Sequence, residues 1–513
     1  MLSKFVIDFR GAGIKQEILS GLTVAIALVP EAIAFSFIAG VDPLIGLYAA
    51  CIMGFFSSVL GGRPGMISGA TGAIAVVVAA TVKEYGEIYL YPTIILGGLM
   101  QMLVGFLRLG KFIRLVPYSV MLGFVNGLAI VIFLSQIPMF GESGADGIKY
   151  YSGARMFTLI GLVVLTIGII VAVPRFTKSV PSALIAIIVV AGISVIPGID
   201  TPTVSNLLQG KSMQGGLPSI FTDYPADLFS IHTLKIIFFP ALSVAGVGLI
   251  ESLLTLTIID EKTGTRGSGN RESLAQGIAN FISGIFGSMG GCAMIGQSMI
   301  NINSGARGRL SGITASLTLL MFIMFLSPII EMIPVAALVG IMFIVSYSTF
   351  EWSSILNFKK TPRADFLTML AVAFITIVFH NLALAVTIGV IMAALSYAWD
   401  NAIRIRSVQR MDDNNVMHYE INGPLFFGST TTFMELFRVN DDPCAVVVDF
   451  EASRVVDQSG IEAIRKINDR YREVGKNISF LNLSKGCKDL LANAEIDITI
   501  NPDKRKFMVV YNS

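Results

Sequence analysis

Up to about residue 401 the chain is a succession of apolar runs separated by short polar or glycine-rich joints. A hydrocarbon core about 30 Å thick takes roughly 20 apolar residues per helical crossing, so runs of this length predict membrane-spanning helices. They fall near 17–38, 42–60, 66–82, 88–107, 113–134, 156–173, 180–197, 234–258, 273–289, 292–302, 310–330, 334–349, 364–380 and 382–401, giving fourteen spans. With the N-terminus inside, Arg63, Arg108/Lys111/Arg114, Arg175/Lys178, Lys262/Arg266/Arg271, Arg307/Arg309, Lys359/Lys360/Arg363 and Arg404/Arg406/Arg410 fall on the cytoplasmic side. The opposite loops carry only a few cations, such as Lys83, Lys149, Arg155 and Lys211. This asymmetry predicts an inner-membrane protein with both termini in the cytoplasm. The opening segment MLSKFVIDFRGAGIKQE is charged and runs straight into the first crossing, so it reads as retained rather than as a cleaved leader.

Two spans are unusual as helices. RPGMISGATGAIAVV and GSMGGCAMIGQSMINI have glycine-rich fronts followed by short apolar runs and read as broken helices. Irregular backbone at membrane depth is tolerated where it is buried in protein or lines a cavity, so each break is a candidate binding site. The breaks lie in spans three and ten, equivalent places if the chain is two repeats of seven, and an odd repeat makes the halves inverted. Glu31 stands 40 residues before Thr71, as Glu251 stands 40 before Gly291.

From about residue 412 the pattern changes to alternating strands and amphipathic helices. AVVVDF (445–450) and NISFLNL read as strands, with GIEAIRKINDRYREVG a helix between them. We therefore expect a transmembrane domain over 1–410 and a small α/β domain over 411–513.

Composition agrees. The chain is 54% apolar and 14% charged, with a mean hydropathy of +0.73. The net charge of +2 is spread in short clusters between apolar stretches, which argues against nucleic-acid binding. Cys51, Cys292, Cys444 and Cys487 are too scattered for a disulfide framework and read as reduced thiols, packed or merely tolerated. GxxxxGK[ST] is absent, as is any His/Cys cluster with metal spacing, so neither an enzyme nor a resident cofactor is expected. Paired broken helices of this kind suit a transporter, whose energy would then come from an ion gradient or from exchange, unless a separate subunit hydrolyses ATP.

Glu31 and Glu251 are the acidic residues well inside predicted spans, where a carboxylate costs at least about 2.5 kcal/mol unless paired, protonated or wet. They are candidate sites for a coupling cation or proton. Thr255, one turn beyond Glu251, would complete an oxygen-rich site, and Pro30 beside Glu31 would loosen the helix there. For an anion, the attraction would come from N–H groups at the fronts of the two broken helices. Ser68, Gly69, Ala70, Thr71 and Gly72 form one front; Ala293, Met294, Ile295, Gly296 and Gln297 form the other. Thr71 and Gln297 add side-chain donors. Asn126 reads as a helix bridge, and His380 as an interfacial residue at a span end.

With those residues in place the chain resembles the SulP (sulfate permease) family over nearly its whole length. The resemblance is carried by LVPEAIAFSFIAGVDPLIGLYAA, GGRPGMISGATGAIAVV, GLIESLLTLTIIDEKTGTRGSGNRESLAQGIANFISGIFG and GGCAMIGQSMININSGARGRLSG. The tail, with VVVDFEASRVVDQSGIEAI, resembles a STAS domain. The resemblance implies a seven-plus-seven inverted topology, a core domain of spans 1–4 and 8–11, a gate domain of spans 5–7 and 12–14, and a homodimer working by elevator motion. It also implies that Ala70, Thr71 and the Gly296/Gln297 region face the anion. Glu251 and Thr255 match positions that bind sodium in bicarbonate-transporting relatives, where the acid is aspartate. Many relatives have arginine where this chain has Gln297. Ser459 stands where bacterial anti-sigma antagonists are phosphorylated. The expected function is symport of bicarbonate or sulfate with Na+ or H+. The alternatives are a nucleobase-type symporter of the same architecture, an uncoupled anion channel or exchanger, and a membrane sensor signalling through the tail.

Overall fold

The computed structural model describes residues 13–110, 116–144, 147–176, 181–195, 199, 201–207, 215–225, 230–379, 382–483 and 499–500. His380, Cys487, Lys111, Arg114, Lys178 and Lys211 lie outside the described residues. The chain divides into two compact units, Met1–Val390 and Ile391–Ser513.

The membrane unit begins with α1 (Ile14–Ala39) and α2 (Pro43–Leu60), followed by β1 (Ser68–Gly69) and α3 (Gly72–Tyr85). Then come α4 (Leu90–Phe106), α5 (Tyr118–Leu134), a hairpin of β2 (Gly141–Gly144) and β3 (Gly147–Tyr150), α6 (Ala154–Ala172), α7 (Ser182–Ser194) and the single turn α8 (Val204–Leu207). The second half runs α9 (Ile231–Thr263), α10 (Gly269–Ile285), β4 (Cys292–Ala293), α11 (Ile295–Asn303) and α12 (Leu310–Glu331). It continues with α13 (Val335–Thr349), the single turn α14 (Ser353–Leu356), α15 (Arg363–Phe379) and α16 (Leu382–Ile403). A helix stands at each expected crossing. Among the described residues, eight helices are long and apolar enough to cross a membrane, and α7 and α13 are shorter apolar ones.

Local chemistry sets the ends. The Asp42 carboxylate accepts from Leu44 N–H at 2.8 Å with Pro43 at the first helical position, which starts α2. Gly264, at φ 65°, ends the 33-residue α9 in a left-handed cap. α1 is continuous through Pro30, whose missing N–H leaves the Ile26 carbonyl without its usual helical donor.

Packing follows a repeat. α4 packs on α10 and α9, α2 on α12, α1 on α12 and α3, α3 on α9, and α11 on α1 and α9. Exchanging α1–α4 with α9–α12 converts these contacts into one another: α4 on α10 becomes α12 on α2, and α3 on α9 becomes α11 on α1. The same holds for α5 on α15 and α13 on α6. Helix packing in lipid relies on close backbone approach, because lipid tails are as apolar as leucine. At the α4–α10 contact a Cβ on Gly98 would stand 2.7 Å from the Gly277 carbonyl, and one on Gly277 would stand 2.7 Å from the Gly98 carbonyl. Burial differs between spans: 22% of the apolar window of α6 is buried, against 61% for α1.

Two cations counted above as topology signals, Arg63 and Arg309, are buried at helix ends. Arg309 donates to the Ser58 and Gly61 carbonyls, each at 2.7 Å, satisfying the end of α2. Arg63 pairs with Asp260 at 3.2 Å, whose carboxylate also accepts from Gly267 N–H. Glu17 accepts from Arg307, Gly308 and Ser311 N–H at 2.7, 2.7 and 3.1 Å, a carboxylate at the start of α12 where the helix dipole favours it.

The second unit carries a sheet in the order β5–β6–β7–β8–β9: β5 (Arg406–Met411), β6 (Val416–Asn422), β7 (Ala445–Ala452), β8 (Asn477–Leu481) and β9 (Thr499–Ile500). β5 is antiparallel to β6, and the other pairs are parallel. The one-and-a-half-turn α17 (Thr430–Glu435) and α18 (Gln458–Glu473) complete it, and α18 buries Ile461, Ile464, Ile467 and Tyr471 at helical spacing. Asp442 accepts from Tyr419 O–H at 2.8 Å and from Tyr471 O–H in the centre of this domain.

Candidate functional site

The two broken helices meet. β1 and β4 pair antiparallel, Ser68 opposite Ala293 and Gly69 opposite Cys292. Met294 N–H donates to the Ile67 carbonyl at 2.9 Å, and Ile67 N–H to Ser298 Oγ at 3.0 Å. A Cβ on Gly291 would stand 1.9 Å from the Gly69 carbonyl, so only glycine fits where the strands cross. The crossing is held from α10: Asn280 donates to the Gly291 carbonyl at 3.0 Å and accepts from Gly291 N–H at 2.9 Å, while also donating to Gln101 of α4 at 2.9 Å. Gln276, one turn earlier, donates to Ser68 Oγ at 2.7 Å and to Glu272 at 2.8 Å.

Each strand leads into a helix N-terminus, where the first N–H groups lack partners within the helix and the dipole is positive. Thr71 caps α3 by accepting from Ile74 N–H at 3.4 Å, whereas Met294 at the start of α11 makes no side-chain cap. The ten candidate residues therefore surround one crossing, but the two fronts are not equivalent. Ser68 to Gly72 are all buried, and a Cβ on Gly72 would stand 2.9 Å from both Phe35 of α1 and Ile132 of α5. Of the second five, Ala293, Met294 and Gln297 are buried, Ile295 is half-buried and Gly296 is exposed, with no atom within 4 Å of where its Cβ would be. Open space thus lies at the α11 front.

Both intramembrane acids are at the crossing. Glu31 Oε1 accepts from Gln297 Nε2 at 2.6 Å, and Gln297 Oε1 is buried without a hydrogen-bond partner. Glu251 Oε2 accepts from the Cys292 thiol at 2.8 Å, and that sulfur lies 3.1 Å from Thr71 Oγ1. Thr255 donates to the main-chain oxygen of Glu251 at 2.8 Å and approaches the Ala293 carbonyl at 3.4 Å, so its hydroxyl serves the backbone rather than the Glu251 carboxylate. Ser252 accepts from Ala293 N–H at 3.1 Å. Cys292, Ser252, Gln276 and Asn280 are site residues that spacing did not point to; their signal was only polarity inside an apolar run.

Elsewhere, Asn126 donates to Ser354 Oγ at 2.8 Å and accepts from Glu351 N–H at 2.8 Å, bridging α5 to the α14 turn. Ser459 is exposed in the first turn of α18 and lines an open cavity of about 540 Å³ with Thr430, Thr431, Met434, Glu462 and Lys466.

Two repeated halves, crossing half-helices and acids at their junction define a membrane-transporter fold rather than an enzyme. Residues 14–372 match the Sulfate permease family and residues 408–506 the STAS domain. The chain belongs to the sulfate permease family. It is 40% identical over 479 residues to the putative sulfate transporter YbaR of Bacillus subtilis, covering 93% of this chain and 96% of that one. It is 29% identical over 483 residues to the bicarbonate transporter BicA of Picosynechococcus, covering 86% and 84%. Among solved structures, the transmembrane domain of a cyanobacterial BicA aligns with TM-score 0.61 and 28% identity over 75% of this chain and 98% of that one. Murine Solute Carrier 26 family member A9, an anion transporter captured inward-facing, aligns with TM-score 0.79 over 96% and 89%; at 17% identity this likeness is one of fold.

Proposed function

We propose that the protein is a secondary active transporter of small anions, bicarbonate or sulfate, driven by Na+ or H+ through Glu251. The observation that carries the reading is the β1–β4 crossing, which brings two helix N-termini and the Glu251 carboxylate around one point. Backbone N–H groups and helix dipoles attract an anion without a fixed cation, which favours release as well as binding. A carboxylate a few ångströms away gives a cation a reason to bind together with the anion, since each lowers the other's electrostatic cost. Transport by elevator motion would move α1–α4 and α9–α12 as the core against a gate of α5–α7, α13, α15 and α16. The functional unit would be a homodimer in the inner membrane, with both termini and the STAS domain cytoplasmic.

The test is uptake of labelled bicarbonate and sulfate by the reconstituted protein under an imposed sodium gradient, a proton gradient or none. Accumulation driven by either cation supports the reading and identifies the coupling ion. Current without a coupling ion would make it a channel. Saturable uptake of nucleobase in place of either anion would select the nucleobase symporter, and saturable binding without flux the sensor.

A further inference from the structure

We propose that Cys292 is the positioning residue through which a cation on Glu251 controls anion binding at Thr71. The inference rests on the transport reading above. Three side chains from three separate segments form one line: Glu251 on α9, Cys292 on β4, and Thr71 at the cap of α3. Cys292 is fully buried and Thr71 is 1% exposed, whereas Glu251 at the far end is half-buried, so water is kept from the thiol–hydroxyl contact while the carboxylate stays reachable by a cation.

The proton inventory fixes the direction of the line. The thiol and the hydroxyl each hold one proton, and an ionised carboxylate holds none. With Glu251 free, the thiol proton points to Oε2 at 2.8 Å, and the contact between Thr71 and sulfur, 3.1 Å, must then be made by the hydroxyl proton. That proton is turned away from the anion. When a cation occupies the Oε2 lone pair that faces sulfur, the thiol loses that acceptor, and the alternative already in contact is Thr71 Oγ1. The S–H rotates to donate there, and the Thr71 proton is released to point toward an anion held at the crossing of the two fronts. No covalent bond forms or breaks; two rotors turn. The hold on Thr71 from its own helix is weak, because the Ile74 N–H contact is 3.4 Å long and engages the oxygen rather than the proton.

The thermodynamic consequence is reciprocal: a cation on Glu251 raises anion affinity, and the anion raises cation affinity by the same factor. A hydrogen bond to a charged partner corresponds to about a tenfold effect or more. Reconstituted wild-type protein should show an anion KM about tenfold lower with the driving cation than without it. Cys292→Ala should bring that ratio close to one, while Cys292→Ser, which keeps a donor and an acceptor, should preserve it. A thiol that only filled space would give the opposite order, with alanine tolerated and the ratio unchanged. Because Cys292→Ala can fail to fold, a second measurement uses the intact chain. The S–H stretching band of Cys292, assigned by its loss in Cys292→Ser, should shift when the driving cation is added. A ratio retained in Cys292→Ala, or a band indifferent to the cation, overturns the proposal while leaving the transport reading standing. A wild-type KM that no cation alters overturns the proposal, and a lack of cation-driven accumulation overturns both.

Discussion

Asn280→Ala should loosen the crossing more than any single contact energy suggests. The Asn280 amide makes a paired bond with Gly291, donating to its carbonyl at 3.0 Å and accepting from its N–H at 2.9 Å, and its second donor reaches Gln101 at 2.9 Å. Asn280 is fully buried, as is Gln101. Alanine leaves three groups without a partner, and each unsatisfied buried group costs about 1–3 kcal/mol. The minimum is then about 3 kcal/mol, near the upper end of the usual range for a point mutation. The loss falls on β4, which delivers Cys292 to Glu251 and starts α11, so the damage should reach the site. Thermal stability in detergent, read by the fraction remaining monodisperse after heating, should drop by several degrees, and anion KM should rise. Asn126→Ala is the control: it removes one buried and one part-buried bond to the α14 segment and none to the crossing, and should lower stability without raising KM. An Asn280→Ala protein with wild-type melting and wild-type KM would refute the reasoning.

Other expectations follow from the same geometry. Glu251→Gln should abolish gradient-driven accumulation while the protein still inserts and folds, since glutamine retains the shape and an acceptor for the Cys292 thiol; normal concentrative uptake would sink the assignment. Gln297→Arg would add a positive charge at the open α11 front beside Glu31 and should raise the sulfate-to-bicarbonate uptake ratio, the divalent anion gaining more. An unchanged ratio would place the anion elsewhere. In the tail, burial first and then the hydrogen bond to Asp442 push Tyr419 up to about 12 from its ordinary 10.0. A raised value means the neutral phenol stabilises the fold fully below about pH 10 and less as pH climbs toward about 12. Near-ultraviolet circular dichroism of the full chain should therefore hold through neutral pH and weaken above about pH 10, and tail signals constant to about pH 12 would contradict this.

Much of this arrangement was legible in the sequence because membranes force it to be. The apolar runs had to be helices, and the two glycine-rich fronts could not be continuous ones, so the places of α3 and α11 followed from hydropathy and glycine alone. Glu31 and Glu251 were visible because carboxylates inside apolar runs are costly. The partners were not visible. Cys292 reads as a packed thiol by composition, and only the antiparallel register of β1 and β4 brings it between Glu251 and Thr71. Arg63 and Arg309 were read as cytoplasmic signposts, yet both are buried, at 7% and 8% exposure. Charge is written in the sequence, but the helix-end carbonyls that receive Arg309 come from α2, some 250 residues away. Glu17 and Glu272 escaped notice for a similar reason: each sits in the first turn of its helix, at the edge of the apolar run, and is buried by a segment remote in sequence.

The exchange of contacts between the two halves bears on how the protein is made. The faces of α1, α2 and α4 are covered mainly by α9, α10 and α12, so the first half cannot close on itself as it leaves the ribosome. Its buried polar groups must wait as well. Gln101 is matched by Asn280, Ser20 by Asn301, and Glu17 by the start of α12, none of which exists until more than half of the chain has been synthesised. Biogenesis is therefore a late, concerted event in which helices already laid in the bilayer are drawn together by their unmatched polar groups. A chain truncated before α12 should be recognised by membrane quality control as unfinished, however well its individual helices insert.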